Sequence, residues 1–366
     1  MSDSRTTAGP AAPTDFNAVA YRAPVTFARA ESNPILTPNP KNDWEALVTT
    51  NPSAVFDESR GKFVLLYRAA GHDAEHAIFI GLAESDDGEH FTRVSDHPVF
   101  SPSTEGAYDA GGAEDPRVMR VGEWYLMTYA SRAYHAGQYW LMAGNPYKPP
   151  SLPDDFPLKF RKNLTTTSLA ATKDFRTWRR CGPLTDPRFD DRDVYFIPER
   201  VNGKWWMIHR PMEWAGPGYG TDHPAMWVNE SDDLLHWDSS TSTLLAKAEQ
   251  PWEVKIGGNT TAIRTELGWF TLYHGKGPDG YYRLGAMILD PTNPRHVTHR
   301  TKGWLMQPEE SYETEGCYDM GGVVFPCGTV LRDDTLFMYY GGADKYVGLA
   351  RISMSELLDY LRACPV

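Results

Sequence analysis

Four consecutive residues, Glu114-Asp115-Pro116-Arg117, carry the most chemically suggestive spacing in this 366-residue chain. Two adjacent carboxylates precede a proline and an arginine, and the chain then enters a strand-like run, Val118-Met119-Arg120-Val121. A carboxylic acid held rigidly at a strand end can protonate the leaving oxygen of a glycosidic bond. Proline fixes φ and restricts the residue before it, so Asp115 has little backbone freedom. The plain structural alternative is a turn with a local ion pair between Asp115 and Arg117.

Cationic residues recur in comparable settings. Arg192 lies in Asp190-Asp191-Arg192-Asp193-Val194-Tyr195-Phe196, Arg210 in Ile208-His209-Arg210-Pro211, Lys255 in Trp252-Glu253-Val254-Lys255-Ile256-Gly257-Gly258, and His274 in Leu272-Tyr273-His274-Gly275. Each is weak evidence alone, since a histidine at a strand end more often has a structural role. Together, at equivalent ends of neighbouring units, they would repel one another unless an anion compensates them. Arginine forks match phosphate oxygens and lysine adds a point charge, so the set points to a bound oxyanion. Asn51, Arg68 and Asp344 occupy similar strand ends. Glu199-Arg200 reads as a strand-edge ion pair. Metal-ligand spacing, a G-x-S-x-G elbow and a glycine-rich phosphate loop are all missing, so neither a metal nor a cofactor is expected.

What positions these residues is a repeat. A turn followed by an aromatic or aliphatic strand appears at Gly61–Arg68, Gly122–Tyr129, Gly203–Arg210, Gly268–His274 and Asp334–Tyr340, with starts spaced by 61, 81, 65 and 66 residues. A second strand ending in a polar turn follows each, as in Ile80–Phe91, Ser168–Trp178 and Trp227–Trp237, with weaker copies at Leu284–Pro291 and Val347–Ser353. Asp-Gly and Asp-Phe turns between apolar runs are hairpin signals. Five strand-rich units at a fixed period predict an all-β, five-bladed β-propeller whose inner strand ends converge on an axial pocket. Asn51, Asp115, Arg192 with Asp193, and Lys255 begin units one to four; Arg68, Arg210, His274 and Asp344 follow the aromatic strands.

Helix signals are scarce. Ser353-x-x-Glu356 has capping-box spacing before Leu357, Leu358 and Leu361, which predicts a short C-terminal helix packed on the outside. The long spacing between units two and three reflects an insertion, residues 136–163. Its Asn-Pro and Pro-Pro dipeptides predict a loop that shapes the site or a contact in a homo-oligomer. Residues 1–22 read as a disordered extension and 23–366 as one catalytic domain.

Aromatics make up 13% of the chain, which suits β-structure and also sugar faces. A net charge of −12 argues against nucleic-acid and anionic-membrane partners. Cys181, Cys317, Cys327 and Cys364 show no C-x-x-C pair, and the N-terminus lacks a basic segment leading into an apolar one. Both fit a cytoplasmic, thiol-containing protein.

The motifs in this order resemble glycoside hydrolase family 130, the β-mannoside phosphorylases and their relatives. The likeness rests on Glu114-Asp115-Pro116-Arg117, Arg192-Asp193 with Phe196-Ile197-Pro198-Glu199-Arg200, His209-Arg210-Pro211, Lys255-Ile256-Gly257, Tyr273-His274-Gly275, and Phe325-Pro326-Cys327-Gly328 with Gly342-Ala343-Asp344. It spans about Asn33 to Leu358. The resemblance implies a five-bladed propeller and Asp115 as general acid, its proton passing through a mannosyl hydroxyl. It implies phosphate ligands at Arg192, Arg210, Lys255 and His274, and sugar contacts at Asn51, Arg68 and Asp344; Glu114 and Asp193 are assigned to the sugar side with them. Two departures stand out. Asp193 replaces a frequent Asn and must pair with Arg192 to avoid repelling phosphate, and a second basic residue after Arg68 has no counterpart, since His72 and His76 fill that stretch.

The expected reaction is inverting phosphorolysis of a β-mannoside, of manno-oligosaccharide or mannosyl-glucose type, with inorganic phosphate as co-substrate. It would give α-mannose 1-phosphate and a shortened sugar. An inverting hydrolase on the same propeller is the rival, and would need a base at Asp193, Glu199 or Asp344. A non-catalytic sugar-binding propeller is the other, and would leave the cations unexplained.

Overall fold

The computed structural model of the chain describes residues 16–141, 144–316, 318 and 322–366. Five antiparallel sheets follow one another along the sequence, each a meander running from the axis outward. Blade one uses Val48–Asp57, Lys62–Ala70, Ile78–Ser85 and Thr92–Arg93. Blade two uses Gly112–Val121, Trp124–Arg132, Thr166–Thr172 and Arg179–Pro183, and blade three Asp191–Phe196, Trp205–Pro211, Met226–Ser231 and Thr243–Ala246. Blade four is built from Lys255–Gly258, Trp269–Lys276, Tyr282–Leu289 and Val297–Arg300. Blade five has Val324–Arg332, Thr335–Gly342 and Tyr346–Ser353 from the C-terminal end, and its outermost strand is Ala28–Arg29. The N-terminal strand thus closes the ring and leaves no gap between last and first blades.

The aromatic strands read as continuous apolar runs because both of their faces are buried. In Lys62–Ala70, Phe63, Leu65, Tyr67 and Ala69 pack toward blade five, while Val64 and Leu66 pack toward blade two. The same division recurs around the ring, so each of the five blade interfaces holds its own apolar cluster. Truncating one such side chain, Leu65→Ala for example, removes contacts on a fully buried face and costs about 2–5 kcal/mol.

A buried polar device ties the second strand of four blades to the outermost strand. In blade one the Tyr67 hydroxyl donates to Glu45 Oε2 at 2.9 Å, and Arg93 Nε donates to the same oxygen at 2.8 Å. Blade two uses Tyr129, Asp109 and Arg180, blade four Tyr273, Glu253 and Arg300, and blade five Tyr340, Glu313 and Arg29. Each carboxylate is buried but fully engaged, so its charge is compensated on the spot. The tyrosine ring lies over a glycine of the third strand in blades one, four and five; a Cβ at Gly81 would stand 2.2 Å from the Tyr67 ring. Blade three differs. There His209 takes the tyrosine position, pairs with Asp191 at 2.7 Å and Ser242 at 3.0 Å, and faces Trp227 in place of a small residue.

The C-terminal helix forms at Met354–Arg362, with the Ser353 hydroxyl accepting from the Glu356 amide at 3.1 Å. Met354, Leu357, Leu358 and Leu361 join the cluster between blades four and five, so the helix is docked rather than loose. The insertion is not loop throughout. Pro157 precedes a short helix, Leu158–Lys162, and Asn163 ends it with φ 48°. Strong helix formers between a proline start and a left-handed stop account for that turn.

The expected boundary at residue 22 also shifts. Residues 1–15, most of the expected extension, lie outside the described residues. Residues 16–22 belong to the folded body: Trp304 Nε1 donates to the Ala18 carbonyl at 2.7 Å, and Phe16 stacks near Tyr21.

Candidate active site

The inner strands of blades one, two and three each carry a bulge where the ladder register shifts: at Thr50/Ser53, Glu114/Arg117 and Arg192/Tyr195. The residue at each bulge is left-handed, Asn51 at φ 44°, Asp115 at φ 51° and Asp193 at φ 58°. Asn and Asp tolerate this conformation better than other side-chain-bearing residues. A bulge re-aims the side chain, and here it turns three polar groups toward the axis. On the neighbouring strands Arg68 pairs with Thr50, Arg210 with Arg192, and His274 with Gly257. All ten site residues expected from the sequence line one axial pocket.

One wall holds the acids. Asp115 Oδ1 accepts from Asn51 Nδ2 at 2.8 Å and from Arg68 Nη1 at 3.2 Å. Among the described hydrogen bonds its Oδ2 has none. Arg117 does not form the expected ion pair with the Asp115 carboxylate. Its Nη1 donates to the Asp115 backbone carbonyl at 3.2 Å, and its Nε donates to the Asn259 carbonyl at 2.7 Å, so it braces the bulge. Glu114 meets Arg132 Nε at 3.1 Å and Arg68 Nη1 at 3.5 Å. Burial pushes the Glu114 carboxyl up, but Arg68, Arg132 and Arg192 outweigh it and hold it at about 2. Asp344 goes the other way: burial, with the nearby Asp115 charge, pushes it up to about 6 against the pull of Arg68.

The opposite wall holds the cations, and most already have counterions. Arg192 forks onto Asp190 with Nε–Oδ1 2.6 Å and Nη2–Oδ2 2.7 Å. Asp193 was expected to pair with Arg192; instead Arg210 Nε donates to Asp193 Oδ2 at 2.5 Å and Arg117 Nη2 to Oδ1 at 3.3 Å. The register explains this, because Arg192 precedes the bulge and Asp193 sits in it, so the two side chains diverge. Burial alone would raise the Asp193 carboxyl, yet Arg210 and Arg117 hold it well below the usual range. Lys255 makes no ion pair among the described residues, and its ammonium lies 5.6 Å from the Tyr282 ring centre. Burial, followed by the charges of Arg210 and Lys276, lowers it to about 7. His274 is fully buried, and burial drives it down to about 3, so it is neutral.

Two features were not read from the sequence. Arg132 supplies the second guanidinium of the acid wall; it ends the blade-two aromatic strand, two residues beyond the point equivalent to Arg68, and period-two spacing would have found it. His76, considered for that place, is held at about 4 by burial and Arg68, and its Nε2 lies 3.0 Å from the Tyr318 hydroxyl. Tyr139 of the insertion lines the pocket with its ring half exposed, stacked 5.9 Å from Tyr318 and edge-on to Trp140 at 5.2 Å. Glu199 is exposed and does not line the pocket. Its neighbour Arg200 bonds the Gly203 and Asp232 carbonyls rather than Glu199.

A five-bladed propeller whose axial pocket sets carboxylates against a wall of cations has the architecture of a carbohydrate-active enzyme. A sequence profile described as beta-1,4-mannooligosaccharide phosphorylase matches residues 27–145 and 160–363. The chain belongs to glycoside hydrolase family 130 and is an enzyme of the glycoside phosphorylase class. It is 32% identical over 339 residues to a 1,2-beta-oligomannan phosphorylase of Thermoanaerobacter sp. (strain X514), covering 91% of this chain and 99% of the relative. It is 29% identical to a beta-1,4-mannooligosaccharide phosphorylase of Ruminococcus albus, over 92% of this chain and 90% of that one. Among solved structures, the beta-1,2-mannobiose phosphorylase of Listeria innocua in complex with beta-1,2-mannobiose aligns with TM-score 0.73 and 25% identity, covering 92% and 99% of the two chains.

Proposed function

We propose that the enzyme carries out inverting phosphorolysis of a β-mannoside, with Asp115 as the general acid. Two donors occupy Asp115 Oδ1, which leaves Oδ2 to carry the proton. That proton goes to the leaving oxygen, directly or through a mannosyl hydroxyl, as the bond from the anomeric carbon breaks. A phosphate oxygen attacks the opposite face, giving α-mannose 1-phosphate and a shortened sugar. Arg192, Arg210, Lys255 and His274 hold the phosphate, while Asn51, Arg68, Glu114, Asp193 and Asp344 set the position of the mannosyl unit and of the ligands around it.

One observation carries this reading: among the described residues, the wall facing Asp115 has cations but no carboxylate free to act as a base. A hydrolase of this stereochemistry needs such a base to activate water. Both oxygens of Asp193 and both of Asp190 are taken by arginines. Asp344 lies on the acid's own side, close enough for the Asp115 charge to raise it. Phosphate is already an anionic nucleophile and needs positioning instead.

The linkage follows the relatives as a working choice. The oligomannan phosphorylase with 32% identity acts on a β-1,2 linkage, so β-1,2-mannobiose is the first substrate to assay and β-1,4-mannobiose the second. The deciding measurement is release of reducing sugar with and without inorganic phosphate. Phosphate-dependent release with mannose 1-phosphate as product is expected. Equal rates in the absence of phosphate would sink the proposal and restore the hydrolase.

A further inference from the structure

His274 was counted among the cations in the sequence, but its surroundings give it a different role. Its Nδ1 lies 3.1 Å from Asn259 Oδ1. The orientation of that amide is set from behind, because Asn259 Nδ2 donates to the Pro326 carbonyl at 2.7 Å. A carbonyl only accepts, so nitrogen must face Pro326 and oxygen must face the imidazole. The Asn259 backbone is anchored as well: its main-chain N–H donates to the Leu272 carbonyl at 3.0 Å and its main-chain carbonyl accepts from Arg117 Nε at 2.7 Å. Nδ1 of His274 therefore carries the ring hydrogen.

A second proton on Nε2 is opposed from most directions. The ring is buried, and Arg210, Lys255 and Arg117 all act against a positive charge there. Among the described residues Asp193 is the one carboxylate facing it, at 3.8 Å from Nε2, beyond hydrogen-bonding distance, and Arg210 already holds that oxygen at 2.5 Å. Nε2 thus presents a lone pair to the pocket.

We propose that His274 Nε2 accepts a hydrogen bond from the P–OH of bound phosphate, so that the site selects the hydrogen phosphate dianion and rejects sulfate, which has similar shape and charge but no proton. This rests on the phosphorolysis reading above. The arrangement also gives a reason for placing a neutral imidazole among arginines. The single phosphate proton is parked against His274, and the three bare oxygens are left for the cations and for attack. A sulfate oxygen in the same place would meet a lone pair and leave a buried acceptor unsatisfied, a loss of roughly ten- to a hundredfold in affinity.

The test is anion binding to the resting enzyme by calorimetry at pH 7.5, comparing phosphate, arsenate and sulfate. Arsenate keeps one proton at that pH and is expected within a few-fold of phosphate, with sulfate at least about tenfold weaker. Asn259→Asp places a carboxylate against Nδ1–H, favours the doubly protonated ring and turns Nε2 into a donor; the sulfate gap should close. His274→Gln can give or take a hydrogen bond and should narrow the gap without any change at Asn259. Sulfate binding as tightly as arsenate, no measurable binding of phosphate or arsenate, or a gap unchanged in both variants would overturn the proposal. Turnover with and without phosphate is scored separately, so failure of phosphorolysis and failure of this selectivity remain distinct results.

Discussion

The two walls of the axial pocket are made by the same structural device and end in opposite electrostatic states. Both place a left-handed Asn or Asp at a bulge, with an arginine on the next strand. On the acid wall Arg68 is shared among carboxylates and leaves Asp115 with one open oxygen. On the cation wall Arg210 and Arg117 saturate Asp193, and the uncommitted group is Lys255. The lesson is that the same residue types do different work according to which partner arrives first. Asp115 is available because Arg117 grips its backbone; Asp193 is spent because Arg117 grips its side chain.

The strongest way to break this contrast is Asp115→Asn, which keeps the left-handed bulge but removes the acid. Turnover should fall roughly 10²–10⁴-fold while the KM for phosphate changes little, as steady-state rates in both substrates would reveal. An unchanged kcat would remove Asp115 from its role.

Lys255→Met attacks the other wall. Losing the one pocket-lining cation that has no ion pair among the described residues should raise the KM for phosphate roughly ten- to a hundredfold with a smaller effect on the mannoside. The pH dependence has a definite sign. Lys255 is lowered to about 7, so the empty site loses this charge as pH rises through 7, and a bound dianion must restore it. In the parent enzyme phosphate binding should weaken above pH 7; the variant should lack that component. Parallel pH profiles for parent and variant would refute the assignment.

A smaller effect is expected on the sugar side from Tyr139→Ala. Tyr139 feels the charges of Arg68, Asp344 and Glu114, which places it over the acid wall; on the proposed mechanism that is the side of the leaving sugar. Losing the ring face should raise the KM for the oligosaccharide about two- to tenfold and leave that for phosphate unchanged.

Asp344→Asn sharpens the comparison through stability. Its folded pKa is raised to about 6, so the stability it allows is present below the unfolded value near 4 and is lost as pH rises through 6. The variant should therefore melt a few degrees above the parent at pH 7–8, converge with it by pH 4, and turn over more slowly. A melting temperature below the parent's at pH 8 would contradict the sign.

The fold was readable because each blade repeats its hydrophobic run and its polar turn at near-constant spacing. That the ten candidate side chains share one pocket was readable for the same reason, as equivalent strand ends must converge on an axis. What escaped were partners that no repeat announces. Asp190 beside Arg192 is two residues away yet is no more conspicuous than Asp191, which turns to His209 instead. Arg29 and Glu313 meet across 284 positions. Tyr139 lies in the one segment that breaks the period.

By itself, then, the sequence determined the architecture and the convergence of these side chains, and it singled out the candidate acid, since alternation and spacing are local properties of the chain. Only the tertiary structure decided which groups are charged, which are already paired and which face the substrate. Those properties depend on distances and burial between blades: Arg210 bridges Asp193 while Asp115 keeps an open oxygen, and an amide on Asn259 decides which nitrogen of His274 holds its hydrogen.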